Sequence, residues 1–445
     1  MEPNSFYKKN RYLLMTGTFM EYFDLMLYVH MASMINEVFF DTTTAFNQKW
    51  LPAFSFCSTF LLKPFGGLVL GYLGDKYGRK SVLMFSTILM ALCCLTIAIL
   101  PSFAQIGVAA SVIVTFARIL QGLSSIGEIT SSEIYMAENL SPPTRYFNTA
   151  LISYAGVVGM AAALLVAKIV ILLNYNWRII FLIGASIAWF GYKLRINLVE
   201  SPEFMNAKNK LKTLMNLDPD TLEGKKEMKR MCIDVMARIS SIKTKVAYFC
   251  AFCGWPICFY FSYVYCGGVL KEQFNFTKEM VIHHNFILSL LNLAGLFFWI
   301  YLTKFIHPLK ILVFKLFFYV PFLISVPYLL TNAETPMNIM FIQAIGVVMG
   351  NSTIPAKGIF IMHFGTLERF KYSAVLNGLS HVLLYIATSF GLTYFTAIFG
   401  NYGILFISLL ATSLFIYGTY EFINLEKASG DYNRNFNDFS FRIHK

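Results

Sequence analysis

The chain has 445 residues, of which 57 % are hydrophobic, 17 % are aromatic and only 13 % are charged. An ordinary soluble protein is about 45–50 % apolar and about 25 % charged, so this composition excludes a soluble globular enzyme and, away from the ends, a disordered chain. Apolar surface in this amount must be solvated by lipid. The formal net charge of +12 would suggest nucleic-acid binding in a soluble protein, but here its distribution along the chain decides its meaning.

Apolar stretches long enough to cross a bilayer as helices recur along the chain. Their approximate ranges are 12–36, 50–73, 81–100, 106–137, 147–173, 179–196, 246–268, 280–303, 311–331, 337–364, 372–397 and 403–423. One long polar stretch separates six spans from six, which indicates two repeated halves. We predict an all-α polytopic membrane protein with about twelve transmembrane helices in two six-helix halves. The predicted units are a first bundle, a central loop, a second bundle and a polar tail, over 1–196, 197–245, 246–423 and 424–445.

The basic residues predict the orientation. With a cytoplasmic N-terminus, 27 of the 36 Lys and Arg residues lie in segments on the cytoplasmic side and four lie on the other side. Because basic residues are retained in the cytoplasm, both termini are predicted to be cytoplasmic, and the net charge reflects topology rather than affinity for nucleic acid. We therefore expect an integral multi-pass protein of the plasma membrane, with the lipid bilayer as its surroundings and both ends of the central loop on the cytoplasmic side.

Four charged residues fall at similar depth inside predicted spans, namely Glu21, Asp24, Lys63 and Arg118. Each charge costs roughly 2.5–3.5 kcal/mol at the centre of a membrane helix, so each needs a partner, water or a function. At about 100° per residue, Glu21, Asp24 and Tyr28 share one face of the first span. This face is the first of two predicted polar stripes.

The second stripe lies on the fourth span, where Arg118, Gln121, Ser125 and Glu128 fall within about 80° of arc. We expect the two stripes to surround one cavity. The alternative is a set of buried ion pairs that only fix the packing of the helices. In the second half, Lys357 and His381 are candidates to line the same cavity.

The sequence KPFGGLVLGYLGDKYGRK at 63–80 resembles the loop signature of the major facilitator superfamily. The segments EYFDLMLY at 21–28, RILQGLSSIGE at 118–128 and ESPEF at 200–204 are similar to the metabolite/proton symporter branch, which includes proline/betaine and oxo-acid transporters. Lys63 stands where this branch usually has Arg, so a point charge replaces a bidentate group. The resemblance implies the major facilitator fold, a bacterial inner-membrane location and a gating loop formed by Gly71, Gly74, Asp75, Gly78, Arg79 and Lys80.

The leading hypothesis is a proton-coupled secondary transporter that imports a small polar solute by alternating access. The chain has no phosphate-binding Gly-rich loop with Lys and Ser/Thr, so an ion gradient must drive transport. The candidate proton carriers are Glu21, Asp24 and Glu128. The candidate substrate-binding residues are Tyr28, Lys63, Arg118, Gln121, Ser125, Lys357 and His381.

Two acids and two bases at mid-depth sum to zero charge, which favours a zwitterion such as an amino acid or a betaine. Lys357 would favour an organic acid if it lines the cavity. A passive facilitator and a transport-inactive sensor are further alternatives, and sodium could replace the proton. HExxH and GxSxG motifs are absent, so the chain is not expected to be an enzyme. No cofactor, metal or nucleic acid is expected, and the protein is expected to be a monomer.

Overall fold

A computed structural model describes residues 3–40, 60–173, 175–196, 200, 205–206, 209 and 240–432. Helical residues occupy all twelve positions at which the sequence predicts a span, so the all-α prediction is confirmed. Seven stretches of described helix are long and apolar enough to cross a bilayer, and one of them, Arg369–Ser429, contains two helices. Most of the predicted loop at 197–245 lies outside the described residues.

The first half of the chain contributes six long described helices. They are α1 Pro3–Phe39, α2 Lys63–Tyr77, α3 Arg79–Ile99, α4 Val108–Asn139, α5 Thr144–Leu172 and α6 Arg178–Arg195. Gly78 alone joins α2 to α3, with a φ of +108° that glycine adopts at little cost. The end of the bundle that carries this turn is here called the α2–α3 end, and the other is called the opposite end.

The last six spans repeat the arrangement. They are α7 Ile242–Phe274, α8 Lys278–Leu302, α9 Pro308–Thr331, α10a Pro336–Val348 with α10b Lys357–Met362, α11 Arg369–Phe399 and α12 Gly403–Ser429. Helix α12 continues past the predicted tail boundary at residue 424. Glu426 in its last turns pairs with the Nε2 atoms of His307 and His363 at 3.3 and 2.8 Å, which explains why helix persists there.

The tenth span is broken, although the sequence predicts one segment over 337–364. Between α10a and α10b the chain passes through a short 3₁₀ turn, Ile354–Ala356. Pro355 has no backbone N–H and disfavours the α conformation in the residue before it, which accounts for the break. Irregular backbone at membrane depth is tolerated only where it is buried in protein or lines a cavity. The break is therefore expected to be buried in protein or to line a cavity.

The two sets of six helices meet along two lines, α2 against α11 and α5 against α8. At the first line the backbones nearly touch. A Cβ atom built on Gly67 would lie 2.8 Å from the backbone of Ala374, and one built on Gly71 would lie 2.7 Å from the Cα atom of Lys371. Glycine at these positions is required for the close approach.

We expect Gly67→Ala to lower the melting temperature of the detergent-purified protein, because overpacking against a backbone costs about 1–3 kcal/mol. The matched control is Gly268→Ala in α7, where a new Cβ meets no atom within 4 Å. The control should melt at the wild-type temperature or higher, since alanine favours helix over glycine by about 1 kcal/mol. Equal melting temperatures for both variants would contradict the close packing of α2 and α11.

Candidate functional site

A cavity of about 80 Å³ lies between the first six and the last six helices. At about 15 Å³ for each water, it has room for roughly five water molecules or a small solute. Helices α1, α2, α4 and α5 form one side, and α7, the break in the tenth span, α10b and α11 form the other. The polar side chains of its wall include Tyr22, Lys63, Ser153, Lys357, Asn377 and His381.

Lys63 lies at the start of α2 and is 7 % exposed. Its Nζ atom lies 4.6 Å from the centre of the Phe60 ring, and that ring in turn packs against Tyr385 of α11, with centroids 4.2 Å apart. Within the described chain no carboxylate bonds to Lys63, although Glu21 lies within electrostatic range. The ammonium group therefore keeps hydrogen-bond donors for a solute.

Two acceptors on α11 belong to the same wall. The Oδ1 atom of Asn377 is buried and accepts no hydrogen bond from the described residues. His381 bonds through Nδ1 to the carbonyl oxygen of Asn377 at 2.7 Å. Because a carbonyl can only accept, Nδ1 carries the proton, and Nε2 of the neutral ring is an acceptor. The cavity thus offers a cation and hydrogen-bond acceptors to one solute.

Aromatic side chains complete the wall. Their rings attract alkylammonium groups through the negative charge of their faces. Those that line the cavity are Tyr22, Phe60, Phe252, Trp255, Phe259 and Tyr385. The combination suits a small molecule with separated positive and negative charges.

The structure brings Asp24 together with the predicted stripe of α4, but behind the cavity wall rather than on it. Asp24 accepts hydrogen bonds from Cys94 Sγ at 2.9 Å and from Gln121 Nε2 at 2.5 Å. Gln121 Oε1 accepts from Arg118 at 2.5 Å. Asp24, Gln121 and Arg118 are not among the residues that line the cavity. Both carboxylate oxygens of Asp24 therefore accept hydrogen bonds from neighbouring side chains.

Glu21 differs from Asp24 in its hydrogen bonds, although it lies only one turn away on α1. Its side chain is buried, and its Oε1 atom accepts no hydrogen bond from the described residues. Glu128, Asp24, Lys63 and Arg195 lie within electrostatic range. A buried carboxyl group without a fixed donor is free to gain and lose a proton.

Glu128 faces a partner that the sequence analysis did not identify. Arg195, in the last turn of α6, donates to both of its carboxylate oxygens, at 2.8 and 2.6 Å. Thr87 accepts a further bond from Arg195 at 2.5 Å. Ser125, predicted on the same stripe, is buried and donates to the carbonyl oxygen of Gly122 at 2.9 Å. The stripe of α4 therefore contributes to two separate clusters, one around Asp24 and one around Arg195. The side chain of Tyr28 lies outside the described residues.

The predicted gating loop lies at the α2–α3 end, where charged residues join the two halves. Arg79 donates to Glu138 at 3.0 Å and to the carbonyl oxygen of Thr366 at 3.1 Å. Arg369 of α11 donates to the same oxygen of Glu138 at 3.0 Å. Asp75 accepts from the backbone N–H of Lys371 at 3.0 Å. We call Asp75, Arg79, Glu138, Arg369 and Lys371 the latch network.

The remaining loop residues shape the turn that the latch network needs. Gly71 and Gly74 lie on the face of α2 that contacts α11, where a Cβ on Gly74 would overlap the ring of Phe370. Glu200 accepts from the backbone N–H groups of Arg79 and Lys80 at 3.0 and 3.1 Å, and so caps the start of α3. In the structure the α2–α3 end is closed by these contacts.

Lys357 also joins the two halves. Its Nζ atom lies 2.5 Å from Oε1 of Glu133 on α4, and Ser153 of α5 donates to that oxygen at 2.7 Å.

The sequence analysis missed Glu133, Glu138 and Arg195. Glu133 lies inside the predicted fourth span, so the rule that singled out Glu21 and Arg118 would also have found it. Glu138 and Arg195 lie at the ends of predicted spans, where a charge is ordinarily solvated, and nothing in the sequence distinguishes them from surface residues.

Comparison with known proteins agrees with the family resemblance seen in the sequence. The model of the Major Facilitator Superfamily matches residues 14–381. A protein named putative proline/betaine transporter, from Staphylococcus aureus strain COL, is 38 % identical over 199 residues, which cover 43 % of this chain and 42 % of the relative. The proline/betaine transporter of Salmonella typhimurium strain LT2 is 33 % identical over 202 residues, which cover 44 % of this chain and 40 % of the relative.

Among solved structures, the proton:xylose symporter XylE superimposes with a TM-score of 0.73 at 15 % identity, covering 94 % of this chain and 95 % of XylE. This likeness shows a shared fold across nearly the whole chain. The matches to the proline/betaine transporters span only about two-fifths of those relatives. The family match covers most of this chain and agrees with its twelve spans, its latch network and its central cavity: the chain belongs to the Major Facilitator Superfamily and is a membrane transporter, not an enzyme.

Proposed function

We propose that the protein is a proton-coupled symporter that imports a small zwitterion, an amino acid or a betaine, by alternating access. The observation that carries the proposal joins two groups within electrostatic range of each other. Lys63 is a cation on the cavity wall to which no described carboxylate bonds, and Glu21 is a buried acid whose Oε1 atom accepts no hydrogen bond from the described residues. The partial similarity to proline/betaine transporters supports this substrate class.

Glu21 is the proposed proton carrier. Of the predicted carriers, Asp24 is held by Cys94 and Gln121, and Glu128 is held by Arg195. Donors that point at both oxygens of a carboxylate stabilise its charged form. Protonation of Asp24 or Glu128 would break such bonds, whereas protonation of Glu21 breaks none that the described residues make.

Glu21 and Lys63 together suggest how proton binding and solute binding are coupled. Ionised Glu21 attracts Lys63, and in a low-dielectric interior this attraction is strong. When Glu21 takes a proton, the attraction ends and Lys63 is free to bind the carboxylate of a solute. In this scheme proton binding precedes or accompanies binding of the carboxylate, which is the requirement for symport. Sodium at Glu21 is the alternative, because a cation of the same charge would release Lys63 in the same way.

Asn377 and His381 would bind the positive end of the zwitterion. Oδ1 of Asn377 and Nε2 of neutral His381 can accept N–H bonds from an amino acid. A betaine has no N–H group and would depend on the aromatic faces instead. The wall therefore accommodates both kinds of zwitterion through different contacts.

Release to the other side of the membrane requires the α2–α3 end to open. The latch network and the Lys357–Glu133 pair would then separate, together with the glycine-lined contact of α2 and α11. The orientation predicted from the basic residues places this end, and both termini, in the cytoplasm.

An organic acid remains the second candidate substrate. The observation that favours it is that Lys357 and Lys63 both line the cavity, from its two sides, so two ammonium groups face one space. Glu133 already neutralises Lys357, however, and the two charges cancel. Among the described residues, Lys63 is then the ammonium group of the cavity without a bonded carboxylate, and the aromatic rings with Asn377 and His381 suit a positively charged end. For this reason we place the zwitterion first.

We expect Glu21→Gln to abolish accumulation driven by a pH gradient in proteoliposomes while exchange of labelled solute for unlabelled solute continues, since glutamine cannot carry a proton. The control is Glu334→Gln, an exposed acid between α9 and α10a. The control should accumulate solute like the wild type. Accumulation by Glu21→Gln under a pH gradient would refute the assignment, and accumulation by the wild type under a sodium gradient alone would identify sodium as the coupling ion.

Asn377→Ala should weaken binding of L-proline by about tenfold or more, because a hydrogen bond to a charged group contributes about 1.5–3 kcal/mol. Binding of glycine betaine should change little. Calorimetric titration of one preparation with both ligands provides an internal control for folding. Equal loss of affinity for the two ligands would contradict the proposed placement of the ammonium group.

Glu138→Gln should increase the fraction of molecules open at the α2–α3 end, because the variant leaves Arg79 and Arg369 without their shared anion. Nitroxide labels at exposed Tyr77 and Lys371 would report the opening as a longer distance in electron–electron double resonance. Glu334→Gln, an exposed acid between α9 and α10a, is the control. If Glu138→Gln and Glu334→Gln give the same distance distribution, the latch network does not hold this end closed.

A further inference from the structure

Two ammonium groups line the central cavity, and within the described part of the chain only one of them has a bonded carboxylate. Lys357 at the start of α10b contacts Oε1 of Glu133 at 2.5 Å, and the side chains are 8 % and 5 % exposed. Lys63 has the Phe60 ring as its neighbour instead. The two lysines lie within electrostatic range of each other. The wall thus holds one available cation and one occupied cation in the same small space.

Glu133 is fixed in place by more than Lys357. Ser153 of α5 donates to the same carboxylate oxygen at 2.7 Å, and Ser153 itself lines the cavity. Glu133 is not among the lining residues, so it acts on the cavity through Lys357. Two donors on one oxygen, both buried, orient this carboxylate towards the ammonium group.

A solute that carries one carboxylate can bind Lys63 and leave the Lys357–Glu133 pair intact. A solute with two carboxylates needs a second cation, and the only other ammonium group on this wall, among the described residues, is already bonded. Its second carboxylate would also lie close to Glu133, and two like charges repel strongly in a poorly solvated space. The pair therefore discriminates between solutes by the number of their carboxylates.

We propose that Glu133 is a positioning residue that sets substrate selectivity: by neutralising Lys357, it restricts the cavity to solutes with a single carboxylate and excludes dicarboxylates. The inference rests on the proposed function in taking Lys63 as the carboxylate-binding group. It goes further in predicting that one uncharged substitution on α4 changes the substrate class.

The test is calorimetric titration of the full-length protein in detergent with L-proline and with succinate, for the wild type and Glu133→Gln. Glutamine keeps the size of the side chain and removes its charge, so Lys357 becomes available. We expect succinate to bind Glu133→Gln about tenfold or more tightly than it binds the wild type, because an ammonium–carboxylate bond is gained. The ratio of succinate affinity to L-proline affinity should rise by a similar factor, since any shift in the opening of the α2–α3 end changes both affinities alike.

Three further variants separate selectivity from a general structural effect. Glu133→Asp retains the charge and should keep the wild-type preference. The double variant Glu133→Gln/Lys357→Met should lose the gained affinity for succinate, because the freed ammonium group is absent. Ser153→Ala loosens Glu133 without removing it and should shift the preference in the same direction by a smaller factor, which keeps the test available if Glu133→Gln does not fold.

The inference is overturned if Glu133→Gln binds L-proline but binds succinate no better than the wild type does. It is also overturned if the gain in succinate binding persists in the double variant. Failure of the proposed function gives a different result: the wild type then binds no L-proline or glycine betaine, while a gain in succinate binding that depends on Lys357 still supports the role of Glu133.

Discussion

A charge inside a protein that is surrounded by lipid must be matched, because neither the hydrocarbon nor the packed interior solvates it. The buried acids of α4 follow this rule closely. Glu128 is bonded to Arg195, Glu133 to Lys357, and Glu138 to Arg79 and Arg369. Glu21 is the exception among the described acids buried in α1 and α4, and it lies near Lys63, the cation of the cavity wall that has no bonded carboxylate. In the proposed function, these two groups are the ones that bind the proton and the solute.

The bonded pairs differ in what they join. The Glu128–Arg195 pair and the Arg118–Gln121–Asp24 chain lie within the first six helices, and they stabilise that bundle in any conformation that keeps it intact. The latch network and the Lys357–Glu133 pair cross from one half to the other. Only the crossing contacts have to break when the α2–α3 end opens. Buried ion pairs are costly to break singly, so a set of them favours two discrete states over gradual opening.

Two local features of the backbone, the break in the tenth span and the glycines of α2, determine which side chains line the cavity. The break around Pro355 ends α10a early and begins α10b at Lys357, and this brings the lysine to the wall. The glycine-lined contact of α2 and α11 brings Lys63 and Asn377 to opposite sides of one narrow space. At 15 % identity to XylE the fold is shared almost completely. The fold therefore tolerates wide change in sequence, whereas in the proposed function the choice of solute depends on a few polar side chains of the wall.

The sequence alone determined the positions of the spans, the turn at Gly78 and the location of Glu21, Asp24, Lys63 and Arg118 inside the bundle. These follow from local composition, because each stretch of chain must by itself suit either lipid or water. Only the tertiary structure decided the pairing. Glu128 meets Arg195 instead of sharing a cavity with Arg118, and Lys357 meets Glu133 across 224 residues of sequence. Partners of this kind depend on the rotation and register of whole helices, which the packing of the complete bundle sets and no single segment encodes.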